Sequence, residues 1–245
     1  MIKKFKKFNY KDTKVVILCG GKGKRISVET KYKPKPLIKI GSKPILEHIM
    51  EIYKKNGFSN FYLLLGYKGN QIKNYFSKKK KFNIKFINSG SSTGTAGRLL
   101  FIRKFLKRNE NFLLTYGDGL TNQNLFKLLK LHIKKNKICT MTIVRPPTRF
   151  GEVKLKNDLI VDYKEKRKVG SGWINGGFMV LNEKVYQYLG KKQTQMFESK
   201  PMERLSKKKK LVAFKHNGFW QCMDTLKEKE YLNFLFRNNK CPWIA

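Results

Sequence analysis

Four short stretches carry residue types suited to phosphate and metal chemistry. The first, "GGKGKR" from Gly20 to Arg25, directly follows the apolar run "KVVILC". Its three glycines let backbone N–H groups turn inward around an anion, because no Cβ obstructs them. Lys22, Lys24 and Arg25 add positive charge. The stretch is neither G-x-G-x-x-G nor the P-loop pattern, so taken alone it fits a phosphate cradle or an ordinary turn. In the second, "KPKP", Lys35 stands between Pro34 and Pro36. The two rings stiffen the chain and present an ammonium at a defined point, although a solvated lysine in a rigid loop has the same signature. The third and fourth, "YGDG" and "MDT", supply Asp118 and Asp224. A carboxylate at the end of a central strand is poorly explained by packing. Mg²⁺ takes one or two such carboxylates and completes its shell with water and phosphate oxygens. An Asp-Gly turn at Asp118, and an acid complementing a helix dipole at Asp224, are the plainer readings.

These residues need a frame to hold them. The chain has 245 residues, 40% of them hydrophobic, with 18 Phe and 11 Tyr, which is enough apolar material to order a folded core. Its formal net charge of +39 attracts polyanions of any kind without naming one. The lysine runs Lys78–Lys81 and Lys207–Lys210 read as solvated faces. Cys19, Cys139, Cys222 and Cys241 form no C-x-x-C pair, and His48, His132 and His216 have no metal-ligand spacing. The chain contains no apolar run of membrane-span length, and "MIKKFKKFNYKDT" lacks the apolar middle of a signal peptide. A cytoplasmic protein with reduced thiols is expected.

Apolar runs at 14–19, 60–65, 83–88 and 139–144 read as strands, and "NFLLTYGDG" at 111–119 as a strand that runs into a polar turn. Between them, helical spacing is found over 45–56, 70–79, 96–107 and 122–135. Such alternation implies βαβ units and a mainly parallel sheet. Ligands of such sheets bind beyond the carboxyl ends of the strands, where both "GGKGKR" and "YGDG" fall. After Arg145 the pattern shifts to short candidates, "GEVKLK", "LIVDYKEK" and "WINGGFMVL", expected to form a smaller mixed β section. Thr225 followed by Glu228 is a capping-box signature for a last helix.

The order of motifs resembles the sugar-nucleotide pyrophosphorylases, and among them the glucose-1-phosphate cytidylyltransferases. The likeness is carried by "GGKGKR", "KPKPLIKIGSKPILEHIM", "TGTAGRL", "LTYGDG", "RPPTRFGEV", "WINGGFMVL" and "GFWQCMDT", which together span nearly the whole chain. The resemblance implies an α/β fold: a Rossmann-like, GT-A-like, mainly parallel mixed sheet flanked by helices. It implies one domain over residues 1–245, with a basic lead-in at 1–13, a nucleotide-binding part at 14–145 and a sugar-phosphate-binding part at 146–245. It further implies an enzyme joining CTP and α-D-glucose 1-phosphate into CDP-glucose and pyrophosphate with Mg²⁺, and a homo-oligomer.

By position, the resemblance places Leu18, Cys19, Gly20, Gly21, Lys22, Gly23, Lys24 and Arg25 on the nucleotide. Arg25 and Lys35 become the catalytic cations on its phosphates, with Thr93, Arg98 and Gly117 completing the pocket. Asp118 and Asp224 become the metal ligands. Phe150, Gly151, Glu165, Lys166, Asn175 and Gly176 face the sugar phosphate. The chain departs from the family pattern at Lys24 for Thr, Ala96 for Gly, Arg167 for Pro, Cys222 for Pro and Lys200 for an acid. A sugar 1-phosphate is already ionised at neutral pH, so the reaction asks for positioning and charge neutralisation and for no general base. Transfer from UTP, dTTP or GTP, or to another sugar phosphate, is the alternative within the class. A basic nucleic-acid-binding protein is the alternative outside it, but it calls for exposed aromatic stacking platforms. The aromatic runs here have the pattern of core faces.

Overall fold

The structure is a computed structural model that describes residues 10–146, 152–156, 158–164 and 172–244. Its strands, in chain order, are β1 (Lys14–Cys19), β2 (Lys39–Ile40), β3 (Lys43–Pro44), β4 (Asn60–Leu65) and β5 (Asn83–Asn88). Then come β6 (Asn111–Tyr116), β7 (Gly119–Thr121), β8 (Cys139–Val144), β9 (Glu152–Lys156), β10 (Leu159–Lys164), β11 (Ile174–Asn182), β12 (Leu211–His216) and β13 (Trp220–Cys222). Seven of them form one sheet in the order β12-β8-β11-β6-β1-β4-β5. Every neighbour pair is parallel except the two that β11 makes, with β6 and β8.

Both faces of the centre of this sheet are covered, which is why β1, β4 and β6 read as mainly apolar runs. Successive side chains still alternate. Val15, Ile17 and Cys19 enter the cluster that holds Ile45, Ile49 and Tyr53 of helix Ile45–Lys55. Val16 and Leu18 enter the opposite cluster with Leu99, Phe197 and Leu205. Helix Ile45–Lys55 follows Pro44 and ends before Gly57, whose φ of +87° only glycine adopts freely.

Chain order makes β1 a switch point: the chain runs from β1 outward to β4 and β5, and returns on the other side of β1 with β6. A crevice therefore opens above the ends of β1 and β6, at Gly20 and Gly117.

Three local expectations differ from the structure. "WINGGFMVL" does not sit in a separate small section: as β11 it is inserted into the main sheet between β6 and β8, and only β9 and β10 pair as a hairpin of their own. The helix expected over 96–107 stops at Leu100, followed by a 3₁₀ turn at Arg103–Phe105. There the Tyr186 hydroxyl donates to the Leu99 carbonyl at 2.8 Å, and Ile102 N reaches Leu99 O in the tighter i+3 pattern. The strand through "YGDG" also breaks after Tyr116, and β7 pairs with β13 instead.

Candidate active site

The β7–β13 ladder builds the acidic centre. Cys222 lies opposite Gly119, and Met223 N donates to Asp118 O at 2.9 Å, so the chain brings Asp224 alongside Asp118. Asp224 is also the residue before the N-cap of helix Leu226–Arg237. Thr225 accepts from Glu228 N, and Glu228 Oε2 accepts from Asp224 N at 2.7 Å and Thr225 N at 2.9 Å. The expected capping box thus also holds the backbone of a site residue.

Lys35 Nζ lies 2.6 Å from Asp118 Oδ2 and 2.6 Å from Asp224 Oδ1. Burial alone would depress the Lys35 pKa, but the two carboxylates outweigh it and hold it above the ordinary lysine value. Lys35 is therefore an ammonium throughout the neutral range. Arg25 Nη1 meets the other Asp224 oxygen at 2.9 Å from a largely exposed position. The two acids converge on a position already occupied by a cation, and their hard oxygen donors suit a divalent ion such as Mg²⁺. Cys222, Asp224 and Glu228 also cluster, but Glu228 is committed to the cap. Burial first, then the neighbouring carboxylates, push the Cys222 thiol up to about 12, which keeps it protonated.

The Gly20–Arg25 loop is held from below. Gly23 takes a left-handed φ of +64°, and a Cβ there would stand 2.8 Å from Thr30 Cγ2 and 3.2 Å from Lys35 Cβ. Loop and lysine are thus packed together. Lys22, Lys24 and Arg25 are exposed, as is Gly21, while Leu18 and Cys19 are buried in the sheet. Burial also raises the Cys19 thiol pKa. Gly117 closes the floor, with its N–H donating to Leu18 O at 3.2 Å.

Arg98 is placed differently from the expectation that it lines the nucleotide pocket. It is 3% exposed. Nη1 donates to Leu65 O, Gly90 O and Ser89 Oγ, and Nη2 donates to Gly20 O at 2.9 Å. The guanidinium thus ties together the ends of β1, β4 and β5 beneath the loop. A Cβ on Gly20 would lie 2.0 Å from it. Thr93 likewise turns its hydroxyl to Ser89 O, within its own turn.

Above the acids lies a cavity of about 1470 Å³, lined in part by Arg25, Asp118, Asn175, Gly176 and Asp224. That volume exceeds the roughly 300–1,000 Å³ usual for one small ligand, so two substrates have room to meet. Asn175 and Gly176 arrive on a bulge: the β11–β8 register shifts between Asn175 and Met179, and Gly177 has a φ of +78°. Trp220 Nε1 fixes this bulge by donating to Gly176 O at 2.7 Å. Phe150, Gly151, Glu165 and Lys166 lie outside the described residues.

Tyr116, Thr95 and Glu198 also line the cavity and were not singled out by the sequence patterns. The signal for Tyr116 was its place beside Asp118 in "YGDG". For Glu198 it was an acid in a polar stretch directly after the buried Phe197.

A family model described as "Nucleotidyl transferase" matches residues 14–233. The chain belongs to the nucleotidyl transferase family. A glucose-1-phosphate cytidylyltransferase of Salmonella typhimurium is 38% identical to it over 94% of this chain and 98% of the relative. The D-glycero-alpha-D-manno-heptose 1-phosphate guanylyltransferase of Campylobacter jejuni is 32% identical over 91% and 99%. In fold, this nucleotidyl transferase matches the crystal structure of HddC from Yersinia pseudotuberculosis complexed with GMP-PN. That match has a TM-score of 0.73 and 24% identity, covering 91% of this chain and 99% of the other. Nucleotidyl transferases of this family commonly use a divalent metal. Among the described residues no helix is long and apolar enough to cross a membrane.

Proposed function

We propose that this nucleotidyl transferase moves the cytidylyl group of CTP onto α-D-glucose 1-phosphate, releasing pyrophosphate and forming CDP-glucose. The observation that carries the site assignment is the convergence of Lys35, Arg25, Asp118 and Asp224 beyond the ends of β1 and β6. The choice of CTP and glucose 1-phosphate rests on the relative that bears that name.

Asp118 and Asp224 would hold Mg²⁺, which neutralises charge on the phosphate oxygens when bound. The backbone of the Gly20–Arg25 loop turns around the phosphates, and Arg98 keeps that loop in place from beneath. Arg25 and Lys35 put fixed positive charge beside the transferring phosphoryl group, where it stabilises the developing charge with little reorganisation. The sugar phosphate enters from the Asn175–Gly176 side, already ionised, and the cavity aligns it with the α-phosphorus. Lys35 sits between the two carboxylates and Arg25 adds a second positive charge at Asp224, which together offset the repulsion between the acids.

The shared sheet of β1 and β11 supports reading the chain as a single domain. Exposed Leu159, Ile160 and Val161 on β10 support self-association, which sedimentation velocity would measure. A cytoplasmic location fits substrates made in that compartment. The test of function is pyrophosphate release from CTP, UTP, dTTP and GTP, each paired with glucose 1-phosphate and with other sugar 1-phosphates. The CTP and glucose 1-phosphate pair is expected to exceed the rest by at least tenfold. A larger kcat/KM for another pair sinks this assignment.

A further inference from the structure

One charged group facing the cavity has no part in the chemistry above. Glu198 lies on the segment that follows Gln193, and this segment is docked onto the start of helix Thr95–Leu100. Gly94 N donates to Gln193 O at 2.8 Å, and Ala96 N and Gly97 N donate to Gln195 O at 3.0 and 3.3 Å. The approach is close enough to require glycine, since a Cβ on Gly97 would stand 1.9 Å from Gln193 O and one on Gly94 2.3 Å from Gln195 O. The N–H groups of Gly94, Ala96 and Gly97 are therefore satisfied by protein carbonyls and are not offered to a phosphate.

Beyond that dock, the Glu198 carboxylate meets two hydroxyls. Oε2 accepts from Thr95 Oγ1 at 2.6 Å, and Oε1 accepts from the Tyr116 hydroxyl. Thr95 Oγ1 in turn accepts from Phe197 N at 2.7 Å, which locks the turn that aims Glu198. Tyr116 belongs to the same wall as the β11 bulge. Its ring lies where a Cβ on Gly177 would come within 2.8 Å.

A carboxylate on this wall repels phosphate and favours neutral hydroxyl donors, and bonds from hydroxyls to a charged acceptor are among the stronger ones. We propose that Glu198 is a specificity-determining residue that accepts hydrogen bonds from hydroxyl groups of the sugar ring, with Tyr116 beside it. This rests on the reading that the sugar phosphate occupies the Asn175 side of the cavity. Thr95 and Tyr116 hydroxyls occupy the carboxylate in the free protein, and ring hydroxyls of the sugar take one or both of those places. Gly94, Gly97 and Thr95 act as positioning residues.

The experiment compares the parent and Glu198→Gln with glucose 1-phosphate and its 2-, 3-, 4- and 6-deoxy analogues, at saturating nucleotide. The expected result is a 10- to 100-fold rise in KM for glucose 1-phosphate in the variant, with KM for CTP and the melting temperature unchanged. The loss should vanish for the analogue that lacks the contacted hydroxyl. Equal losses on both substrates, equal losses across all analogues, or a kcat/KM within twofold of the parent would each overturn the proposal. Should the variant fail to fold, the parent decides by itself: it must reject at least one deoxy analogue by tenfold or more, and uniform acceptance overturns the assignment. Should the parent prefer another nucleotide and sugar phosphate, the function proposed above falls. The same comparison on deoxy forms of that sugar then judges Glu198 by the same criteria.

Discussion

Arg98 and Lys35 are both buried cations beside the Gly20–Arg25 loop, at 3% and 8% exposure, yet their partners differ in kind. Arg98 donates to three backbone carbonyls and a serine hydroxyl, all belonging to the scaffold. Lys35 donates to two carboxylates that face a cavity and that suit a metal ion. The planar fork of Arg98 matches several fixed acceptors at once, whereas the ammonium of Lys35 is a point charge on a flexible stem whose partners can be exchanged. One cation holds the loop, and the other meets acids that line the cavity beside it. A buried charge next to a glycine-rich loop is therefore assigned by its acceptors rather than by its proximity.

The largest expected effect breaks the scaffold side of this contrast. Arg98→Ala removes four bonds from a charged donor, to Gly20 O, Leu65 O, Gly90 O and Ser89 Oγ, although Tyr67 N still donates to Gly20 O and Ser89 to Leu65 O; the cost is roughly 3–6 kcal/mol in total. For a chain of this size that corresponds to a fall in melting temperature of about 10 °C or more, with nucleotide affinity lost alongside. Thermal melting checks it, and a change of less than 2 °C would mean that the clamp does not hold the loop.

Lys35→Ala tests the other side. Turnover should fall by about 10²-fold or more, the scale for losing one preorganised electrostatic donor. The nucleotide-free variant should also melt lower than the parent and recover when Mg²⁺ is added, because two facing carboxylates are left without a counter-charge. Near-normal turnover removes Lys35 from the mechanism.

Asp118→Asn and Asp224→Asn sharpen the comparison further. Each should move the midpoint of a Mg²⁺ titration of activity upward by about tenfold, the scale of one weakened charge partner, while the fold survives. If both variants titrate with Mg²⁺ as the parent does, the two acids are not the metal ligands. The smallest effect is expected from Thr225→Ala. Loss of the N-cap should cost about 1 kcal/mol, read as a drop of roughly 2–4 °C in melting. A shift too small to measure would show that Asp224 is held without its cap.

Much of this fold was legible before any coordinates, and for local reasons. The bounds of β1, β4, β5 and β8 coincide with the runs read from the sequence because strands covered on both faces favour apolar and β-branched residues, Thr140 and Thr142 being the buried polar positions inside β8. β5 is the partial exception. It lies at the sheet edge, with Asn83, Lys85 and Asn88 exposed. The Thr225–Glu228 capping box was equally legible, since its partners lie three residues apart. The length of the helix that begins at Thr95 was not, because it depends on a hydroxyl from Tyr186.

The sequence by itself determined which residues have the chemistry: glycines free to bend around an anion, a lysine stiffened by two prolines, an acid at a strand end and another just before the last helix. Their identity and immediate neighbours are local properties, so they survive translation into a string of letters. Only the tertiary structure decided what those residues face. Lys35 and Asp224 meet across 189 positions through the pairing of β7 with β13. Arg98 turns under the loop because three strand ends present their carbonyls to one point, and Glu198 reaches the cavity because two glycines let a distant segment settle on a helix. Hydrogen-bond direction and burial are set by packing between distant segments, and no spacing along the chain encodes them.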